Sequence, residues 1–117
     1  LNTDQATERY LEGVHYKINA FLGQSAANFY TFMSVAQDAT TEDIWKAYIR
    51  MSAEAALDFS AQSTHATTRA DLLAIVLDIL ADETKRGKYN KVLERIIIRA
   101  ATKPYWLWSF VKNIIFG

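Results

Sequence analysis

Few residues in this chain are of the type and spacing that does chemistry. The two histidines, His15 and His65, are the side chains best suited to proton transfer or metal binding near neutral pH, and they fall far apart with no second histidine at ligand spacing from either. Ser25, Ser34, Ser52, Ser60 and Ser63 lack the flanking glycines of a nucleophile elbow. The four glycines form no phosphate-cradling loop, and the absence of cysteine removes thiol nucleophiles, disulfides and thiolate-bound zinc. The expectation is a protein that is not an enzyme, with no catalytic residue, metal ligand or cofactor site. His15 is expected at a helix surface or interface and His65 in an exposed loop.

Charge offers more. Lys46 and Arg50 stand four apart, so they share one helix face, but Glu42, Glu54 and Asp58 continue the same line. Glu42 with Lys46, and Arg50 with Glu54, are spaced to neutralise each other, which makes the face mixed rather than basic. Across the whole chain thirteen Lys and Arg balance thirteen Asp and Glu, leaving no bulk field to attract nucleic acid. Phe29, Tyr30, Phe32, Tyr48 and Tyr89 would suit base stacking only if basic residues interleaved them, and they are expected in the core.

These residues need elements to hold them. A chain of 117 residues that is half hydrophobic suffices for one packed domain without staples. Tyr10, Leu11, Val14, Ile18, Phe21 and Leu22 keep helical spacing, which predicts a helix from about Asp4 to Leu22, stopped by Gly23. Asn28 to Val35 reads as a brief aromatic-rich segment. Thr40 with Asp43 resembles a capping box opening a second long helix over Thr41 to about Phe59. The polar stretch Ser60 to Thr68 is expected to be an exposed loop between antiparallel helices. Ala70 to Leu80 carries another apolar face, Asp82 to Gly87 is expected to interrupt it, and a last helix resumes through Tyr89, Val92, Leu93 and Ile96 to about Thr102. Alternation of the strand type never persists, so the fold class is all-α.

From Asn28 to about Glu94 the order of elements resembles a J-domain, the Hsp70-activating module of DnaJ proteins. Asn28-Phe29-Tyr30 followed by Phe32-Met33-Ser34-Val35 is similar to the family's opening, with Met33 and Ser34 in place of the usual Leu and Gly. Asp38-Ala39-Thr40-Thr41-Glu42-Asp43-Ile44-Trp45-Lys46-Ala47-Tyr48 follows the family pattern closely, and Leu77 to Asn90 is similar to its helix III to helix IV junction. The resemblance implies an antiparallel hairpin flanked by short helices, with an extra N-terminal helix added. It places the His-Pro-Asp signature on Ala56-Leu57-Asp58, of which only the aspartate survives. In the family that loop docks on Hsp70 and promotes ATP hydrolysis, and alanine and leucine supply neither the imidazole nor the proline-fixed turn. Ala53 to Leu57 is instead good helix-forming sequence, so the second helix should run on through the position of the loop. The candidate partner contacts are Lys46, Arg50, Lys85 and Arg86.

The sequence divides into an extra helix (1–27), the J-like region (28–103) and a tail (104–117) of different composition. After Pro104 come Tyr105, Trp106, Trp108 and Phe110, then Ile114, Ile115 and Phe116, with Lys103 and Lys112 at the flanks. That composition suits either a membrane-interface anchor or a final element packed on the domain or a partner. No stretch reaches the roughly 18 to 20 apolar residues that a spanning helix needs. Ile96-Ile97-Ile98 cannot all face one core, so the N-terminal helix or a second protein must cover another side. The expected role is a J-like scaffold or adaptor subunit of a membrane-associated complex, mitochondrial or of the endoplasmic reticulum, that does not stimulate Hsp70. The alternative is a regulatory pseudo-J protein pairing with an active J-protein or Hsp70. Partners are protein chains and a membrane surface, not nucleic acid.

Overall fold

The computed structural model describes residues 3–59, 64–101 and Ile114. Five helices follow one another: α1 (Thr3–Leu22), α2 (Phe29–Met33), α3 (Thr41–Phe59), α4 (Thr64–Leu80) and α5 (Glu83–Ala101). No strand occurs among the described residues, and the J-domain-like all-helical architecture expected from the sequence is present.

Local chemistry sets the helix ends. Asn28 opens α2 with a reciprocal box, its side chain accepting from the Thr31 amide at 3.0 Å while its own N–H donates to Thr31 Oγ1 at 2.8 Å. Thr40 and Asp43 do the same for α3, at 3.1 and 3.3 Å. Asp82 caps α5 by accepting from the amides of Thr84 and Lys85. Asp82 to Gly87 is therefore not the interruption expected: only Ala81 and Asp82 separate α4 from α5, and Gly87 lies inside the helix. Likewise the polar segment to Thr68 is not all loop. α4 begins at Thr64, so Thr64 to Thr68 form its first turns, and His65 is on a helix, stacked against Phe21 with ring centroids 4.3 Å apart.

α1 and α2 end in the same way. After α1, Gly23 is left-handed (φ 66°), its N–H donating to Ala20 O and that of Gln24 to Asn19 O. After α2, the N–H groups of Ser34 and Val35 reach Thr31 O and Tyr30 O with Ser34 at φ 56°, ψ 42°. Ser34, at the position where the resembled family has glycine, is thus left-handed.

α3 buries Ile44, Ala47, Met51 and Ala55 against Leu72, Leu73, Val76, Leu77 and Leu80 of α4. With only four residues between them the two helices form an antiparallel hairpin. α2 closes one end of it with Phe29, Tyr30, Phe32 and Met33, all buried. α5 follows α4 and adds Tyr89, Val92 and Leu93. The extra helix α1 joins this same core through Leu11, Val14 and Ile18 and lies on α5. Exposed ion pairs line that contact: Asp4–Lys88 at 3.9 Å, Glu8–Arg95 at 2.7 Å and Glu12–Arg99 at 3.0 Å. The pairs ascend together along both helices, so α1 and α5 run in the same direction. Being exposed, the pairs serve mainly to fix register.

The left-handed serine generates a prediction. A non-glycine residue in that region costs about 1–2 kcal/mol, of which the entropy that glycine loses on folding takes back about 0.5–1 kcal/mol. Ser34→Gly should stabilise the protein by about 0.5–1 kcal/mol, read as a higher urea midpoint at unchanged m-value.

Candidate protein-interaction site

The residues that the sequence marks as chemically capable are mostly absorbed into the fold. His15 is 2% exposed, so it is a core residue and not a surface one. Its Nδ1 lies 2.9 Å from the Tyr89 hydroxyl, which also accepts a hydrogen bond from the Phe29 N–H at 3.1 Å. The Phe29 and Tyr89 rings stack at 3.8 Å between centroids, nearly parallel. One hydroxyl on α5 thereby ties together α1 and the first turn of α2. Burial pushes the imidazole below its ordinary pKa and the phenol above its own, so both stay neutral near pH 7. No group of His, Asp or Glu side chains able to hold a metal occurs among the described residues.

Arg86 and Lys85, two of the candidate partner contacts, are engaged within the chain. Arg86 Nη2 donates to Gln37 O at 2.9 Å and Nε to the Tyr30 hydroxyl at 3.3 Å, with the guanidinium 5.4 Å from the Tyr30 ring centre. The Tyr30 hydroxyl in turn donates to Asn90 Oδ1. Lys85 pairs with Asp78 at 3.1 Å. Arg86 therefore braces the α2–α3 connection against α5, a structural task with no local signature because its partners are 49 and 56 positions away.

The outer face of α3 keeps its charges differently. Glu42 and Lys46 pair at 3.2 Å, but Arg50 and Glu54 do not meet, and among the described residues neither has a partner. Between these charges lie Trp45 and Ile49, 46% and 64% exposed. α3 continues unbroken to Phe59, so Ala56, Leu57 and Asp58 are helical; Ala56 and Leu57 are exposed, and the Asp58 side chain is outside the described set.

The second exposed apolar area is the last half of α5. Ile96 packs partly on the core, while Ile97 and Ile98 remain 55% and 51% exposed, so α1 covers only one side of the isoleucine run. Ile97 stands between depressions of about 470 and 370 Å3, the larger bordered by His15, Ala27, Leu93 and Ala100. Of the tail residues, Tyr105, Trp106, Trp108, Phe110, Ile115 and Phe116 lie outside the described residues, and Ile114 is 67% exposed. No described helix is long and apolar enough to cross a membrane.

Three sequences carry the decisive comparison. The chain is 36% identical over 66 residues to "DnaJ homolog subfamily C member 1" of Mus musculus, a match covering 56% of this chain and 12% of that protein. The chain is J-domain-like. The same J-domain-like region is 35% identical over 66 residues to the human protein of that name, and 34% identical over 67 residues to "Chaperone protein DnaJ" of Hydrogenobacter thermophilus, 18% of whose length is covered. No family model and no solved structure matches. This J-domain-like chain thus spans a small fraction of the relatives it matches.

The buried pair in its core generates two predictions. Tyr89→Phe leaves the Phe29 N–H and the His15 ring without their shared partner, and should cost about 1–3 kcal/mol in chemical denaturation. Because the His15 pKa is depressed by folding, the unfolded chain takes up the extra proton first, near pH 6.5. Stability should hold above that pH, fall as pH drops through the window down to the folded pKa, and lose that particular slope in His15→Asn.

Proposed function

We propose that the chain is a non-catalytic J-like scaffold or adaptor, a subunit of a membrane-associated complex in mitochondria or the endoplasmic reticulum, that does not stimulate Hsp70 ATPase. The similarity to DnaJ proteins supports a chaperone-related origin. What carries the finer reading is α3 running through Ala56, Leu57 and Asp58, where the resemblance puts the signature loop. A helix there offers no fixed turn and no imidazole to an Hsp70. The Lys46 charge is partly spent on Glu42, and Lys85 and Arg86 are held by Asp78, Gln37 and Tyr30, so that of the four candidate contacts three are engaged within the chain. The exposed Ile97 and Ile98, with the aromatic composition after Pro104, supply the apolar contact that an anchored subunit requires.

A second reading rests on Arg50. It is exposed, among the described residues it has no partner, and it sits on the helix that active relatives present to Hsp70. A regulatory pseudo-J protein would use it to bind an Hsp70 or an active J-protein without triggering hydrolysis.

Native purification through a tag from detergent-solubilised membranes separates the two. A fixed-ratio complex without chaperones supports the scaffold, and co-purification of Hsp70 or a signature-bearing J-protein supports the regulator. In either case Hsp70 ATPase should stay at its basal rate when this protein is added; stimulation that disappears in Asp58→Asn would overturn both readings.

A further inference from the structure

His15 has a second ring nitrogen that the core does not use. The Tyr89 hydroxyl accepts from the Phe29 N–H, so that contact takes none of the hydroxyl's own hydrogen. Among the described residues the acceptor left for it is His15 Nδ1, 2.9 Å away. Nδ1 is then the unprotonated nitrogen, and the ring, kept neutral by burial, carries its hydrogen on Nε2. Nε2 has no hydrogen-bond partner among the described residues, yet none of their fully buried side-chain nitrogens or oxygens lacks one. It therefore reaches open space, and the space that His15 borders is the recess of about 470 Å3 beside α5.

That recess is built from fixed parts. Leu93, Ile96, Ile97 and Ala100, on one face of the second half of α5, form its apolar wall, and Ala27 stands opposite in the α1–α2 connection. The connection is pinned: Asn19 Nδ2 donates to Ala27 O at 2.6 Å, left-handed Gly23 turns the chain after α1, and Asn28 is held in its capping box. Among the described residues no charged side chain lines the recess, and Arg99 of α5 is paired with Glu12. The second depression, of about 370 Å3, shares Leu93 and Ile97 with the first and reaches Ile98. The two make an elongated apolar track with one N–H donor at its inner end.

We propose that this track binds a linear fatty acyl chain whose head is a neutral carbonyl, an amide or ester, with the carbonyl oxygen accepting from His15 Nε2–H and the hydrocarbon running over Ile97 toward Ile98. The donor calls for an acceptor, and a plain hydrocarbon would leave it unpaired. An ionised carboxylate would lose water there with no cation to pair it. The larger depression falls within the roughly 300–1,000 Å3 of small-molecule sites, and the elongated track suits a flexible chain better than a compact ring system. The site rests on neither of the functional readings above, since it uses only α1, the α1–α2 connection and α5.

NMR titration of the isotopically labelled full chain with octanamide tests this. Before any ligand is added, the His15 nitrogen shifts should report the Nε2–H tautomer. Octanamide should produce saturable shifts at Ala27, Ile97, Ala100 and His15 Nε2–H. Octanoate, the same chain with an ionised head, should bind at least about tenfold more weakly. Ala100→Trp, at an exposed position, fills the recess and should weaken octanamide binding at least about tenfold while far-UV circular dichroism shows the helices intact. Replacing His15 would also disturb Tyr89, so the donor is read in the unaltered protein, from its tautomer and from the Nε2–H shift. The proposal is overturned by an Nδ1–H tautomer, by shifts that never saturate or that Ala100→Trp leaves unchanged, or by equal binding of octanoate. Cross-peaks placing the Trp106 or Trp108 ring on Ile97 in the ligand-free protein would overturn it as well, since the tail would then fill the track.

Discussion

The Tyr89 hydroxyl is the constraint on which the arrangement of helices depends. It is fully buried, so it must find partners within the protein, and it finds them on two other helices: the Phe29 N–H at the start of α2 and the His15 ring on α1. A phenol in hydrocarbon surroundings would otherwise cost a large part of a small domain's stability. The stacked Phe29 ring fixes the tyrosine's plane, and Tyr30, next in the chain, joins Asn90 and Arg86, four residues apart on α5. α2, only five residues long, could not hold its position by helix propensity, since so short a helix is unstable alone. It is held by α5.

The extra helix α1 takes its place in that scheme. It supplies the histidine that completes the hydroxyl's environment and buries Leu11, Val14 and Ile18 in the common core. Its ion pairs with α5 set the relative rotation of two parallel helices, and apolar burial provides the adhesion. What α1 leaves uncovered is also informative. Ile97 and Ile98 remain more than half exposed, near the end of α5 and ahead of a stretch of sequence rich in tryptophan and phenylalanine. Apolar surface persists there, on the outside of α3, and at Tyr10 and Tyr16 of α1.

Within the J-domain-like region, local caps set the frame. Thr40 and Asp43 box the start of α3, Asp82 caps α5, and a left-handed serine makes the turn after α2. Nothing in the core asks for alanine and leucine at positions 56 and 57, where both side chains are exposed. Their effect is to let the helix continue.

Helix periodicity and caps were legible because they are local: the spacing of Leu11, Val14 and Ile18, the Thr40–Asp43 box and the glycine stop of α1 each reflect interactions within four residues. The all-helical class, the extent of α3 and the buried aromatics follow from such patterns. The cap at Asp82 was also local, yet the polar residues after it suggested a break, as the run up to Thr68 suggested a longer loop; Thr64, His65, Thr67 and Thr68 are exposed in the first turns of α4, and Glu83, Thr84 and Lys85 in the first turn of α5. Long-range partnerships were not legible. That His15 lies in the core, that Arg86 braces Gln37 and Tyr30, and that Arg50 and Glu54 miss each other depend on where helices separated by dozens of residues come to rest. Sequence alone determined which faces are apolar and where α1 and α3 begin and end. Only tertiary structure decided which polar groups are spent on one another and which remain on the surface, because that pairing is set by distances between elements that no local pattern encodes.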